Sequence, residues 1–172
     1  MFMRLLMWVV MIIGGTLGGY YLDGRWFSDI HRSLIFHAVS FVAGLVLLKL
    51  VLTVSRYTGR TLARLGREGD VPRMETNKLV TTGRYGLMRH PMHLGLIFLP
   101  LSIALIVGSP SFILVIAPME MFIMILLIKV YEETEAIEKF GDDYREYQKK
   151  TPMFCLSIRC IRALFEEVSS NR

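Results

Sequence analysis

Gly108-Ser109-Pro110-Ser111 joins two apolar runs, Leu94 to Val107 and Phe112 to Tyr131. A link of this length and composition fits only an antiparallel helical hairpin. Working outward, two further apolar runs precede it: Leu5 to Leu22, and Ser33 to Val54, the latter interrupted only by His37 and Lys49. Each approaches the roughly 20 residues that a helix needs to cross a hydrocarbon core, the third being the shortest. Helices are the reading because an open strand edge stays unsatisfied in lipid. The chain is therefore expected to be all-α, a polytopic membrane protein with about four transmembrane helices. Pro100 and Pro118 predict kinks in the last two. The chain has 172 residues, 53% of them hydrophobic and clumped, which is high for a soluble protein. A single domain over residues 1–172 is expected, with an N-terminal helix pair over 1–54 and a core over 77–154. Arg4 before Leu5 to Ile13 resembles the start of a signal peptide. The apolar run continues to Leu22 without clear small-residue cleavage chemistry, so a retained first helix is the expectation.

Formal net charge is +5, and the excess has a location. Arg56, Arg60, Arg64, Arg67, Arg73, Lys78, Arg84 and Arg89 lie between the second and third runs. Lys139, Arg145, Lys149, Lys150, Arg159, Arg162 and Arg172 follow the fourth. Positive residues stay inside, so both termini and the central segment are expected on the cytoplasmic face. Arg56, Arg60, Arg64 and Arg67 recur at helical spacing, which predicts that the second helix continues out of the membrane with a basic stripe against lipid head groups. Nothing accompanies this charge that would make a nucleic-acid module. Gly14, Gly15, Gly18 and Gly19 form two overlapping small-xxx-small pairs, which permit close packing inside the protein or a homodimer contact. Cys155 and Cys160 lack the partners of a zinc site and are expected as free thiols. A helix leaving the membrane after Tyr131 should break near Gly141 and restart at Asp142. Phe154 to Phe165 should form a last amphipathic helix on the membrane surface.

Two polar clusters flank the helical hairpin. Tyr85, Arg89, His90 and His93 precede its first helix, and Glu132 and Glu133 follow its second. Each member has an ordinary structural use. Arg89 can snorkel to phosphates, His90-Pro91 can open a helix, and the two glutamates can form a solvated face. An antiparallel hairpin, however, brings its two open ends together, so the clusters should meet. His90, His93 and Glu132 are too few and too closely spaced for a persuasive metal site.

The pattern Leu79-Val80-Thr81-Thr82-Gly83-x-Tyr85-x-x-x-Arg89-His90-Pro91-x-x-x-Gly95, then Glu132-Glu133, then Phe140-Gly141-x-x-Tyr144-x-x-Tyr147, resembles the superfamily of isoprenylcysteine carboxyl methyltransferases and phospholipid methyltransferases. These are integral-membrane enzymes that use S-adenosylmethionine. The resemblance implies a cytoplasmic cofactor pocket. Asn77, Lys78, Leu79 and Val80 match its backbone stretch, Tyr85 a pocket aromatic, His90, Pro91, Met92 and His93 the cofactor-binding tetrad, and Glu132 the pocket carboxylate, with Glu133 beside it. In such a pocket Arg89 or His90 suits the cofactor carboxylate. Glu132 offsets the sulfonium charge, and His93 or Glu132 is the candidate base for an acceptor that must lose a proton. The acceptor implied is lipophilic: a phospholipid amine, a prenylcysteine carboxylate or another small lipophile.

Two positions depart from the pattern. His93 stands where a tyrosine is usual. Ile128 stands where carboxyl methyltransferases carry a substrate-binding arginine, at a helix end where an arginine could snorkel. Lys129, next to it, points about 100° away on an α-helix. An apolar or amine-bearing lipid is therefore the expected acceptor. Two rivals differ in kind: an NADPH-dependent membrane reductase, distinguished by which cofactor raises the melting temperature, and a non-catalytic membrane subunit, distinguished by methyl transfer to lipid.

Overall fold

A computed structural model describes residues 2–72 and 75–165, with side chains from residue 6 onward. Arg73 and Arg172, used above for topology, lie outside the described residues, as does the side chain of Arg4. The protein is an all-α polytopic membrane protein, and no strand occurs among the described residues. In order, the α-helices are α1 (Phe2–Trp26), α2 (Ser28–His31), α3 (Leu34–Leu65), α4 (Arg84–Leu87), α5 (Pro91–Ile97), α6 (Leu99–Val107), α7 (Ala117–Leu127), α8 (Glu133–Lys150) and α9 (Ile158–Phe165). A π-helical turn, Phe112–Ile116, leads into α7, and another, Ile128–Glu132, joins α7 to α8.

Three helical stretches are long and apolar enough to cross a membrane: Leu6–Trp26, Leu34–Leu65 and Phe112–Lys150. The third apolar run is the shorter Pro91–Val107, broken at Phe98 into α5 and α6. At about 1.5 Å per residue it falls short of a hydrocarbon core of about 30 Å. Pro100 sits in the first turn of α6 rather than inside it, where its missing N–H is harmless. Pro118 follows directly on the first π turn. Proline removes one helical hydrogen bond and crowds the carbonyl four residues back. The wider turn lets the helix continue through it.

The chain forms two compact units: Met1–Val51 with Ile97–Leu126, and Leu52–Leu96 with Leu127–Arg172. In the first, the buried side of α1 is Gly15, Gly19 and Asp23, four residues apart, while Val10, Leu17 and Tyr20 point outward. Apolar outside and small or polar inside is the pattern of a helix solvated by lipid. Asp23 is fully buried, and its Oδ1 accepts from the Ser111 backbone N–H at 2.7 Å, capping the start of the fourth helix. Phe112, Ala104 and Ala117 form the core, with Leu101, Ile103, Ile113 and Ile116 around them. Gly108 closes α6 in the left-handed region at φ 70°, its N–H reaching the carbonyls of Ala104 and Leu105. The hairpin is as the sequence predicts.

Internal packing uses two of the four α1 glycines. A Cβ on Gly15 would lie 2.5 Å from the Phe112 ring, and one on Gly19 2.5 Å from Ser109 Oγ and 2.8 Å from Phe112 Cβ, whereas one on Gly14 meets nothing within 4 Å. Gly19→Val should therefore lose about 1–3 kcal/mol through overpacking, with Gly14→Val close to neutral. Unfolding in detergent micelles compares the two, and equal stabilities would count against this packing.

In the second unit α3 does run on as a helix through Arg56, Arg60 and Arg64. The break at Gly141 is present as φ 58°, ψ −131° inside α8. The final amphipathic helix is α9, shorter than Phe154 to Phe165. The expectation of free thiols is corrected: Cys155 and Cys160 form a disulfide, with Cα atoms 5.9 Å apart across the turn into α9. That separation is ordinary for a bridge. Zinc spacing, the basis of the sequence reading, does not bear on it.

Candidate functional site

The site is built wholly within the second unit, from the end of α3, the segment 75–96 and residues 127–154. Residues 66–78 fold back on the end of α3. The Asn77 backbone N–H donates to Gly66 O at 2.9 Å, and the Asn77 side chain both donates to Glu68 O, at 2.7 Å, and accepts from the Glu68 N–H, at 2.8 Å. Lys78 pairs with Glu68 at 3.3 Å. Leu79 is half-buried and Val80 buried. Asn77 and Lys78 thus fix the loop with their own atoms.

Tyr85 is buried against α3, with its hydroxyl 3.5 Å from Thr58 O, and its carbonyl accepts from the Tyr147 hydroxyl. Burial, then the neighbouring Tyr147, pushes the Tyr85 phenol up, so it stays a neutral packing group. Pro91 is fully buried and opens α5, while Met92 is half-buried beside Gly59.

Glu133 is the hub. Arg89 donates to it through a fork, Nε to Oε1 and Nη2 to Oε2, both at 3.0 Å. His90 Nε2 lies 2.6 Å from Oε1, the Tyr144 hydroxyl donates to Oε1 at 3.0 Å, and the Gln148 amide donates to Oε2. Arg89 also donates to the carbonyls of Gln148, at 3.3 Å, and Thr151. The backbone N–H groups of Arg89 and His90 donate to the carbonyls of Pro152, at 2.9 Å, and Met153, at 3.2 Å. Glu133 and Arg89 are 8% and 12% exposed at the side chain. A buried charge is tolerated only when paired and hydrogen-bonded, and here both ions are.

Glu132 is placed differently. Its Oε1 lies 3.9 Å from His93 Nε2, and both side chains are about a quarter exposed, 24% and 23%. The His93 and His90 rings meet edge to face at 5.4 Å. One turn of α5 therefore divides its two imidazoles between the two glutamates. The clusters read from the sequence do meet, in two layers: Arg89, His90 and Glu133 inside, His93 and Glu132 toward the opening.

Ile128 is buried, 3% exposed, and Lys129 is exposed. The expectation that an arginine at 128 could snorkel is thereby corrected, since such a side chain would start from a packed interior. Gln148, Thr151 and the carbonyls of Pro152 and Met153 were not among the site residues expected from sequence. Their only local signal is adjacency to Tyr144 and Tyr147. No group of three or more metal-type side chains converges among the described residues.

Comparison with curated proteins finds no match. A family model described as phospholipid methyltransferase matches residues 39–143. That range is well over half of the 172 residues and contains both glutamates, both imidazoles of α5 and Arg89. The chain belongs to the phospholipid methyltransferase family.

Proposed function

We propose that this protein transfers a methyl group from S-adenosylmethionine to an amine-bearing lipid at the cytoplasmic membrane surface. Family membership supports a membrane methyltransferase. The observation that carries the finer reading is the partly exposed His93–Glu132 pair beside a saturated Glu133. The donor set fits the cofactor: a carboxylate suits a cation bearing a sulfonium and an ammonium, and Glu132 is the accessible one.

S-adenosylmethionine, when bound, supplies a methyl group activated by the positive sulfur. The protein's own part is binding and alignment. Glu132 holds positive charge at the opening. An ammonium acceptor must lose a proton before its nitrogen lone pair can attack, and His93 Nε2 is the base, with Glu132 stabilising the imidazolium that forms. Arg89, His90 and Glu133 fix the turn of α5 that aims His93. With Ile128 buried, no arginine clamp for an acceptor carboxylate is present at that position.

Labelled methyl transfer by protein in vesicles tests the reading, comparing phosphatidylethanolamine with a farnesylated cysteine analogue. Label in the phospholipid is the expected result. Base-labile ester on the prenylcysteine analogue alone, or no transfer to either lipid, would overturn the choice of acceptor.

A further inference from the structure

We propose that the arginines of α3 and the outward side of α9 together form a docking surface for the headgroups of anionic phospholipids, with α9 lying in the bilayer interface. This goes beyond methyl transfer and holds whichever acceptor is used.

Arg56, Arg60 and Arg64 recur one turn apart on the last part of α3, and all three are exposed. No acidic side chain among the described residues pairs with them. Other exposed basic residues of the same unit are paired: Lys78 with Glu68 at 3.3 Å, Arg145 with Asp142 at 3.1 Å, Lys149 with Glu146 at 2.6 Å. The stripe therefore presents uncompensated positive charge. It is also at the right depth. Arg56 lies one turn beyond Leu52, an exposed apolar residue of the same helix, or about 6 Å along its axis.

α9 turns Cys160 and Leu164 inward and leaves Leu156 (71%), Ile158 (87%), Ile161 and Phe165 outward. The basic residues beside this apolar face are Arg159 and Arg162. Apolar surface flanked by arginine is the signature of a helix half-sunk at the headgroup boundary. Arg84 ties it to the stripe. Its Nε donates to Ala163 O at 2.9 Å, and its Nη1 reaches Thr61 Oγ1, 3.5 Å away, with the guanidinium over the Tyr57 ring at 5.4 Å. Thr61 lies between Arg60 and Arg64 in the same helix. The apolar face and the unpaired charges are thus neighbours, and a negatively charged lipid headgroup with its acyl chains complements both.

Each basic residue near an anionic surface favours it by enough for about a fivefold enrichment. The test uses the full chain with Trp8→Phe and Trp26→Phe, and Ile158→Trp as reporter, in phosphatidylcholine vesicles doped with brominated phosphatidylglycerol or brominated phosphatidylcholine. Leu156→Trp serves as a second reporter, and circular dichroism checks the helices. Stronger quenching by the phosphatidylglycerol is expected, at least about fivefold in apparent affinity. It should fall to parity in Arg56→Gln/Arg60→Gln/Arg64→Gln and weaken in high salt. Absence of quenching by either lipid would show α9 covered by protein or standing in water. Equal quenching by both, or selectivity surviving the triple substitution, would remove the headgroup preference. Each of these results overturns the proposal.

Discussion

Glu133→Ala is expected to lower stability by about 3–5 kcal/mol, because it leaves the Arg89 guanidinium buried without its carboxylate. Tyr144 and Gln148 lose their acceptor in the same step, and His90 its ring contact. Denaturation of the purified protein in micelles measures the loss. Glu133→Gln keeps the size of the side chain but not the charge, and should fall between the alanine variant and the unmodified protein. A stability change below about 1 kcal/mol for the alanine variant would mean that the fork of Arg89 finds equal partners elsewhere, and that Glu133 is no hub.

Glu132→Gln should do the reverse: little change in stability, and a large loss of cofactor binding. A hydrogen bond to a charged group is worth about 1.5–3 kcal/mol, so affinity for S-adenosylmethionine should fall about tenfold to a hundredfold. Calorimetry on folded protein reads this directly. His90→Ala also weakens binding on this view, but through Glu133, and therefore with a stability loss that Glu132→Gln does not show. Unchanged affinity in the Glu132 variant would remove it from the pocket whatever the fate of the fold.

The hairpin was legible because a four-residue link with glycine and proline admits one arrangement, and the meeting of residues 89–93 with 132–133 follows from that arrangement alone. The division of labour between Glu132 and Glu133 was not legible. Adjacent positions on a helix differ by about 100°, and which faces inward depends on the π turn before them, for which Ile128 to Glu132 carry no proline or glycine signal. The carbonyls of Pro152 and Met153 also escaped a reading by sequence, because they come from the fold-back after Lys150, a long-range event. The buried position of Ile128 escaped it too, since a run of apolar residues does not say which of them face lipid. The Cys155–Cys160 bridge was missed because spacing was judged against metal sites.

The π turn at Ile128–Glu132 has one more consequence. A helix bonded i to i+5 accommodates one residue beyond what the ordinary path needs. It is therefore a phase shift written into the chain. Deleting a single residue there would leave the upstream helix facing as before and rotate everything after it by about 100°, exchanging the faces of the two acids without altering the composition of either cluster. Two chains with identical motifs but unequal numbers of residues in this turn would present different carboxylates to the opening, so aligning them without a gap at this turn would equate the wrong pair.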